Sequence, residues 1–139
     1  MEWLSALVGA MLSMLGGVTA SQRAVRVSVP PLSVEVTTVP SGLHCPEWYG
    51  PAATAGWSDD EIAQVDRIMW RESSCEQGAT HVNANGTVDR GLMQINDINL
   101  GWLADVGVSA DDLLVGGRNL QAARLLYEQL GWSPWRPLP

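Results

Sequence analysis

A mainly helical domain with one short β-hairpin is the fold class that this sequence predicts, and three patterns predict it. A capped amphipathic segment begins at Trp57, an Asn85-Gly86 pair separates two β-branched stretches, and a last long helical segment stops at Gly131. The chain of 139 residues has room for one small domain and some tail.

The first helix has a defined start. Ser58 serves as N-cap and Glu61 stands three residues on, which makes a capping box, with Trp57 and Ile62 at the flanking apolar positions. Asp59 and Asp60 suit the positive end of the helix dipole. Ile62, Val65, Ile68 and Met69 then recur at helical spacing and form an apolar stripe. The stripe runs into Trp70-Arg71-Glu72-Ser73-Ser74-Cys75, so Glu72 sits on or beside its buried face near the helix end. Asn85-Gly86, between Val82 and Val88, is a strong short-range hairpin signal. Beyond Gly91 the apolar run Leu92-Met93-Gln94-Ile95 is expected to lead into a helix reaching about Val106. Ser109 with Asp112 starts another short helix, and 118–130 makes the last long one, with Gly131 as its stop.

The first forty residues read differently. Residues 1–20 hold an uncharged apolar stretch that closes on Val18-Thr19-Ala20, a small-residue cleavage pattern. Its length is marginal for spanning about 30 Å of hydrocarbon. The stretch is therefore a signal peptide or an uncleaved membrane anchor, and either one exports the rest of the chain. Residues 21–42 alternate Val with polar residues but are broken by Pro30-Pro31 and Pro40, which favours an extended tether. The folded domain is expected over 43–139, as a monomer, touching membrane only through the N-terminal segment.

Charge excludes several functions. The formal net charge is −7, with 15 acidic against 8 basic residues, and no basic cluster occurs. Phosphate binding needs clustered Lys and Arg, so nucleic acid is not the expected partner. Capture of an anionic surface by charge is disfavoured for the same reason. A glycan ligand would have to be held by aromatic contacts and hydrogen bonds. Cys45 and Cys75 allow one disulfide, which closes a loop of about 30 residues worth roughly 3.5 kcal/mol on the chain-entropy model. His44 beside Cys45 matches no common zinc spacing, so neither metal nor cofactor is expected.

Glu72 is the candidate for chemistry. A carboxyl on the apolar side of a helix loses hydration, which favours its protonated form, and a protonated Glu can deliver that proton to a glycosidic oxygen. The plainer alternative is a half-exposed helix residue paired with Arg71 or Arg67.

Arg71-Glu72-Ser73-Ser74-Cys75, the Asn-Gly hairpin, Asp89-Arg90-Gly91-Leu92-Met93-Gln94-Ile95-Asn96 and the terminal Gly131-Trp132-Ser133-Pro134-Trp135 together resemble, in order and spacing, the lytic transglycosylases and goose-type lysozyme-like proteins. The resemblance covers about residues 43–136 and is greatest to members from actinobacteria and their phages. It implies a mainly α (α+β), lysozyme-like fold with an active-site cleft for the peptidoglycan glycan strand. It also implies that Glu72 protonates the bond between N-acetylmuramic acid and N-acetylglucosamine. The same carboxylate then takes the proton of the muramyl 6-hydroxyl as an internal ether forms. Ser73, Gln94 and Asn96 would contact the sugar, and Met93 would either line the site or fill the core. Trp132 and Trp135 would stack on a sugar face or pack on the last helix. Asp89 is a possible second carboxylate that would activate water and make the enzyme a hydrolase; its alternative role is a turn residue paired with Arg90. The Ala-Tyr-Asn segment of many members has no counterpart here, and Tyr127 lies in the last helix instead. A wall-binding or virion module without turnover is the third reading.

Overall fold

A computed structural model describes residues 38–139; the expectations for a signal peptide or anchor, and for most of the tether, lie outside the described residues. Helices α1 (Tyr49–Thr54) and α2 (Asp59–Ser73) come first, then strands β1 (Thr80–Val82), β2 (Val88–Arg90) and β3 (Ile95–Asn96). Helices α3 (Leu100–Asp105) and α4 (Gly116–Leu130) follow, and single 3-10 turns occupy Pro46–Trp48, Asp97–Asn99, Asp112–Leu114 and Ser133–Trp135. The fold is mainly helical with a small antiparallel sheet, as the sequence predicts. No helix among the described residues is long and apolar enough to cross a membrane.

Helix α2 forms because both its ends are satisfied. Ser58 Oγ accepts from the Glu61 N–H while the Glu61 carboxylate accepts from the Ser58 N–H at 2.9 Å. Burial would push the Glu61 carboxyl up, but the Ser58 bonds and the Arg124 guanidinium outweigh it and hold it below its ordinary value. The stripe Ile62, Val65, Ile68 and Met69 is fully buried, alongside Leu92, Met93, Leu103, Leu113 and Leu120. At its far end α2 stops on Ser74 and Cys75, both with positive φ (51° and 68°). Non-glycine residues rarely adopt that conformation, and here a covalent bond fixes it. Cys45 and Cys75 form a disulfide with their Cα atoms 5.6 Å apart, so both sulfurs are committed to the bridge. The buried Asp66 carboxylate also accepts from the His44 and Cys45 N–H groups at 2.9 and 2.7 Å. Replacing both cysteines by Ser should cost about 3.5 kcal/mol, close to the loop-entropy value for this separation. Chemical denaturation of the two forms checks this; equal midpoints would show that the bridge adds nothing.

The hairpin lies where Asn85-Gly86 places it, but its loop is longer than a two-residue turn. Val82 pairs with Val88, the Asn83 N–H donates to the Thr87 carbonyl at 2.8 Å, and among the loop residues Gly86 alone has positive φ (83°). This is a type I turn followed by a left-handed glycine, the usual three-residue solution.

The helix expected from Leu92 to Val106 does not form as one element. Gly91 (φ 76°) and Gln94 (φ 45°) both take left-handed backbone, so the chain turns back and Ile95–Asn96 pairs with β2 as a third strand. Only Leu100–Asp105 is helical. The turn is welded from inside by Asn119. Its fully buried carboxamide donates to the Arg90 and Leu113 carbonyls, both at 2.9 Å, and accepts from the Met93 N–H at 2.9 Å. The element expected at Ser109 is a single 3-10 turn, although Ser109 and Asp112 do exchange reciprocal bonds, the Ser109 N–H donating to the Asp112 carboxylate and the Asp112 N–H to Ser109 Oγ. Helix α4 begins two residues earlier than the spacing predicts and ends at Gly131 as expected.

Candidate active-site groove

The end of α2, the sheet, the last turns of α4 and the C-terminal tail enclose a groove of about 350 Å³. Glu72 enters from α2, Asp89 from the middle of β2, and Gln94, Ile95 and Asn96 from the turn and β3. Ile98 and Asn99 extend that wall, while Leu126, Leu130, Ser133, Pro134 and Trp135 form the opposite one. Glu72 and Asp89 are the charged members of this lining, and none of the lining residues is basic.

Glu72 is not the desolvated carboxyl that its helical position suggests. Its side chain keeps 27% exposure, and its Oε1 accepts from Arg71 Nε at 2.9 Å and from Arg71 Nη2. Being next to last in α2, it leans out of the stripe toward the groove and stays in contact with solvent and, on its other side, with the Arg71 guanidinium. The plainer alternative, a pair with Arg71, therefore coexists with a place in the groove.

Asp89 owes its setting to the sheet register. Asp89 stands directly across from Asn96, and the Asn96 Nδ2 donates to Asp89 Oδ1 at 2.6 Å. Asn83 Nδ2 donates to the other oxygen at 2.9 Å. Each carboxylate oxygen of Asp89 thus accepts from a side-chain amide, which fixes its orientation in the groove. The pairing of Asp89 with Arg90 does not occur, because neighbours on a strand point to opposite faces. Arg90 Nη1 instead lies 3.0 Å from Asp97 Oδ1, an ion pair in distance whose angle is poor for a hydrogen bond.

Gln94 keeps its strained backbone because its side chain is tied at both sides, Nε2 donating to the Gly91 and Ala79 carbonyls at 2.9 and 3.1 Å. Residues held in such sparsely populated conformations cluster at functional sites. Asn96 also caps the following turn, accepting from the Ile98 N–H at 3.0 Å.

Three of the residues expected to contact sugar lie elsewhere. Ser73 is buried, and its hydroxyl donates within reach of both the Met69 carbonyl (3.0 Å) and the Leu92 carbonyl (2.9 Å), locking α2 to the turn that bears Gln94. Met93 is wholly enclosed and belongs to the core. Trp132 stacks on Trp57 with ring centroids 5.6 Å apart and tilts against Tyr127 at 4.5 Å, so it packs on the last helix. Trp135 does line the groove, but as a buried wall with 3% exposure, its indole N–H donating to the Met93 carbonyl at 2.8 Å. Helical and strand periodicities do not single out Ile98, Asn99, Leu130 or the Ser133-Pro134 pair. For Ile98, Asn99 and Leu130 the only sequence signal is proximity to Asn96 and Gly131, whereas Ser133-Pro134 lies within the terminal motif that carries the resemblance.

No family profile matches this chain, and no curated protein does. Among solved structures, the crystal structure of a lysozyme from Litopenaeus vannamei is similar to it, with a TM-score of 0.50 and 24% identity. The alignment covers 63% of this chain and 82% of that lysozyme. At that identity the likeness establishes the fold, which is lysozyme-like.

Proposed function

We propose that this groove cleaves the glycan strand of peptidoglycan, with Glu72 as the general acid. The observation that carries the reading is the convergence of Glu72 and Asp89, from a helix end and a sheet, on one open groove whose remaining polar lining is uncharged. Glycosidic cleavage needs a proton on the leaving oxygen and negative charge near the developing oxocarbenium carbon. Glu72 supplies the first and Asp89 the second. The Gln94 carboxamide oxygen accepts no hydrogen bond from the described residues, and Asn99 Nδ2 keeps one hydrogen unused. These two offer an acceptor and a donor to hydroxyl and N-acetyl groups, while the Asn96 amide stays engaged with Thr87 and Asp89.

In the route that the sequence resemblance favours, Glu72 gives its proton to the glycosidic oxygen and the bond from C1 of N-acetylmuramic acid breaks. The Glu72 carboxylate then removes the proton of the muramyl 6-hydroxyl as that oxygen closes on C1, leaving a 1,6-anhydro end. A second reading, hydrolysis, is favoured by the place of Asp89, since a second carboxylate in the groove permits water to take the part of the 6-hydroxyl. The disulfide fits an exported protein, as does the apolar N-terminal stretch. The domain is taken to span 43–139 and to act as a monomer behind its tether.

Mass spectrometry of peptidoglycan digests separates the two routes. Anhydromuramyl ends are expected from transglycosylation, and reducing ends alone would establish hydrolysis. Asp89→Asn removes the charge and should slow release by about tenfold to a hundredfold; parent-like rates would remove Asp89 from the chemistry.

A further inference from the structure

One guanidinium joins the candidate acid to the C-terminal tail. Arg71 Nε and Nη2 both donate to Glu72 Oε1, Nη2 also donates to the Trp135 carbonyl at 2.8 Å, and Nη1 donates to the Pro137 carbonyl. Every nitrogen of the fork is thereby engaged. The tail segment is held from its other side by the bond from the Trp135 indole to the Met93 carbonyl. Arg71 itself is not part of the groove lining, so it meets Glu72 from behind.

This arrangement treats the two carboxyl oxygens differently. Arginine offers only donors and keeps its proton, so Oε1 stays an acceptor whether Glu72 is neutral or ionised. A proton that is to be transferred must then reside on Oε2, which accepts no hydrogen bond from the described residues. A planar fork fixed at three points also limits rotation of the carboxyl, as a lysine ammonium would not.

We propose that Arg71 is the positioning residue of this site: it assigns the transferable proton to Glu72 Oε2 and balances the carboxylate that forms as that proton leaves. The inference rests on Glu72 being the general acid. As charge develops on Glu72 in the transition state, fixed donors behind it bind more strongly than they bind the neutral acid. Interactions that strengthen only in the transition state raise kcat and leave KM alone. The carbonyls of Trp135 and Pro137 make the tail a support for the acid as well as a wall of the groove.

The test measures kcat and KM of the parent, Arg71→Gln, Arg71→Lys and Glu72→Gln on soluble, uncrosslinked glycan strands. Arg71→Gln is expected to lower kcat about thirtyfold with KM within about twofold of the parent. Arg71→Lys should recover part of the loss, since it restores the charge without the fork. A parent-like kcat in Arg71→Gln, or a loss confined to KM, overturns the inference while an inactive Glu72→Gln leaves the acid assignment standing. Full activity in Glu72→Gln overturns the assignment on which the inference rests. Should Arg71→Gln not fold, as judged by circular dichroism, Arg71→Lys decides: a several-fold lower kcat at unchanged KM supports the role, and a parent-like kcat rejects it.

Discussion

Glu72→Gln is expected to slow the release of soluble fragments from peptidoglycan by about a thousandfold or more while the melting temperature stays within a few degrees of the parent. A positioned general acid contributes about 10² to 10⁴ in rate, and in the proposed transglycosylase route the same carboxylate is needed a second time as base when the 6-hydroxyl attacks. A thousandfold loss corresponds to about 4 kcal/mol of barrier. The amide has nearly the shape of the acid and can still accept from Arg71, so the clamp on the tail survives the change. The stability cost is small because the side chain keeps 27% exposure and packs into no core. Fragment release at the parent rate by a folded Glu72→Gln protein would remove this residue from the chemistry and the proposed activity with it.

The second large effect concerns folding. Gly91→Ala should destabilise the domain by about 4–6 kcal/mol. The glycine has φ 76°, where an added Cβ would stand 2.1 Å from the Leu113 carbonyl oxygen and 2.2 Å from Asn119 Nδ2. Left-handed backbone alone costs a non-glycine residue roughly 1–2 kcal/mol. The clash also displaces a buried carboxamide that makes three hydrogen bonds, each worth about 1 kcal/mol, and strands their buried partners. Against a total stability of about 5–15 kcal/mol for a domain of this kind, that leaves little. Gly86→Ala is the control. It has a similar φ of 83° but open space around it, so it should cost only about 1–2 kcal/mol. Thermal denaturation of the two variants side by side checks the difference. Similar melting points would mean that the buried amide accommodates the methyl group.

Those two glycines also show what a linear sequence exposes and what it hides. Local signals were legible: the capping box at Ser58–Glu61, the apolar stripe of α2, the Asn-Gly turn and the stop at Gly131 each depend on residues within a few positions of one another. The fate of Leu92–Ile95 was not. An apolar run four residues long suits a buried helix or a buried strand equally, and the choice was made by Asn119, which reaches the turn from a different helix. The site divides in the same way. Glu72, Asp89, Gln94 and Asn96 lie in the groove, because their relative positions follow from a helix end and one strand pairing. Ser73 and Met93 flank those residues in sequence, yet alternation and helical rotation turn them into the interior. Trp132 could not be assigned from composition, since an aromatic ring suits a sugar face and a neighbouring tryptophan equally well. Its partner Trp57 lies at the other end of the domain's sequence. Arg71 appears in the sequence only as a possible neighbour for Glu72. Its part in holding the tail depends on carbonyls more than sixty residues away.

The sulfur bridge has a mechanical meaning beyond its share of stability. A load drawn along the polypeptide from Thr38 reaches Cys45 before it reaches any helix, and there it divides into a covalent path leading directly to the foot of α2. Peeling therefore halts at that sulfur, and α1 and the start of α2 are shielded from tension. Glu72 lies inside the bridged segment, so a pull arriving from the leading side bypasses the helix that carries it.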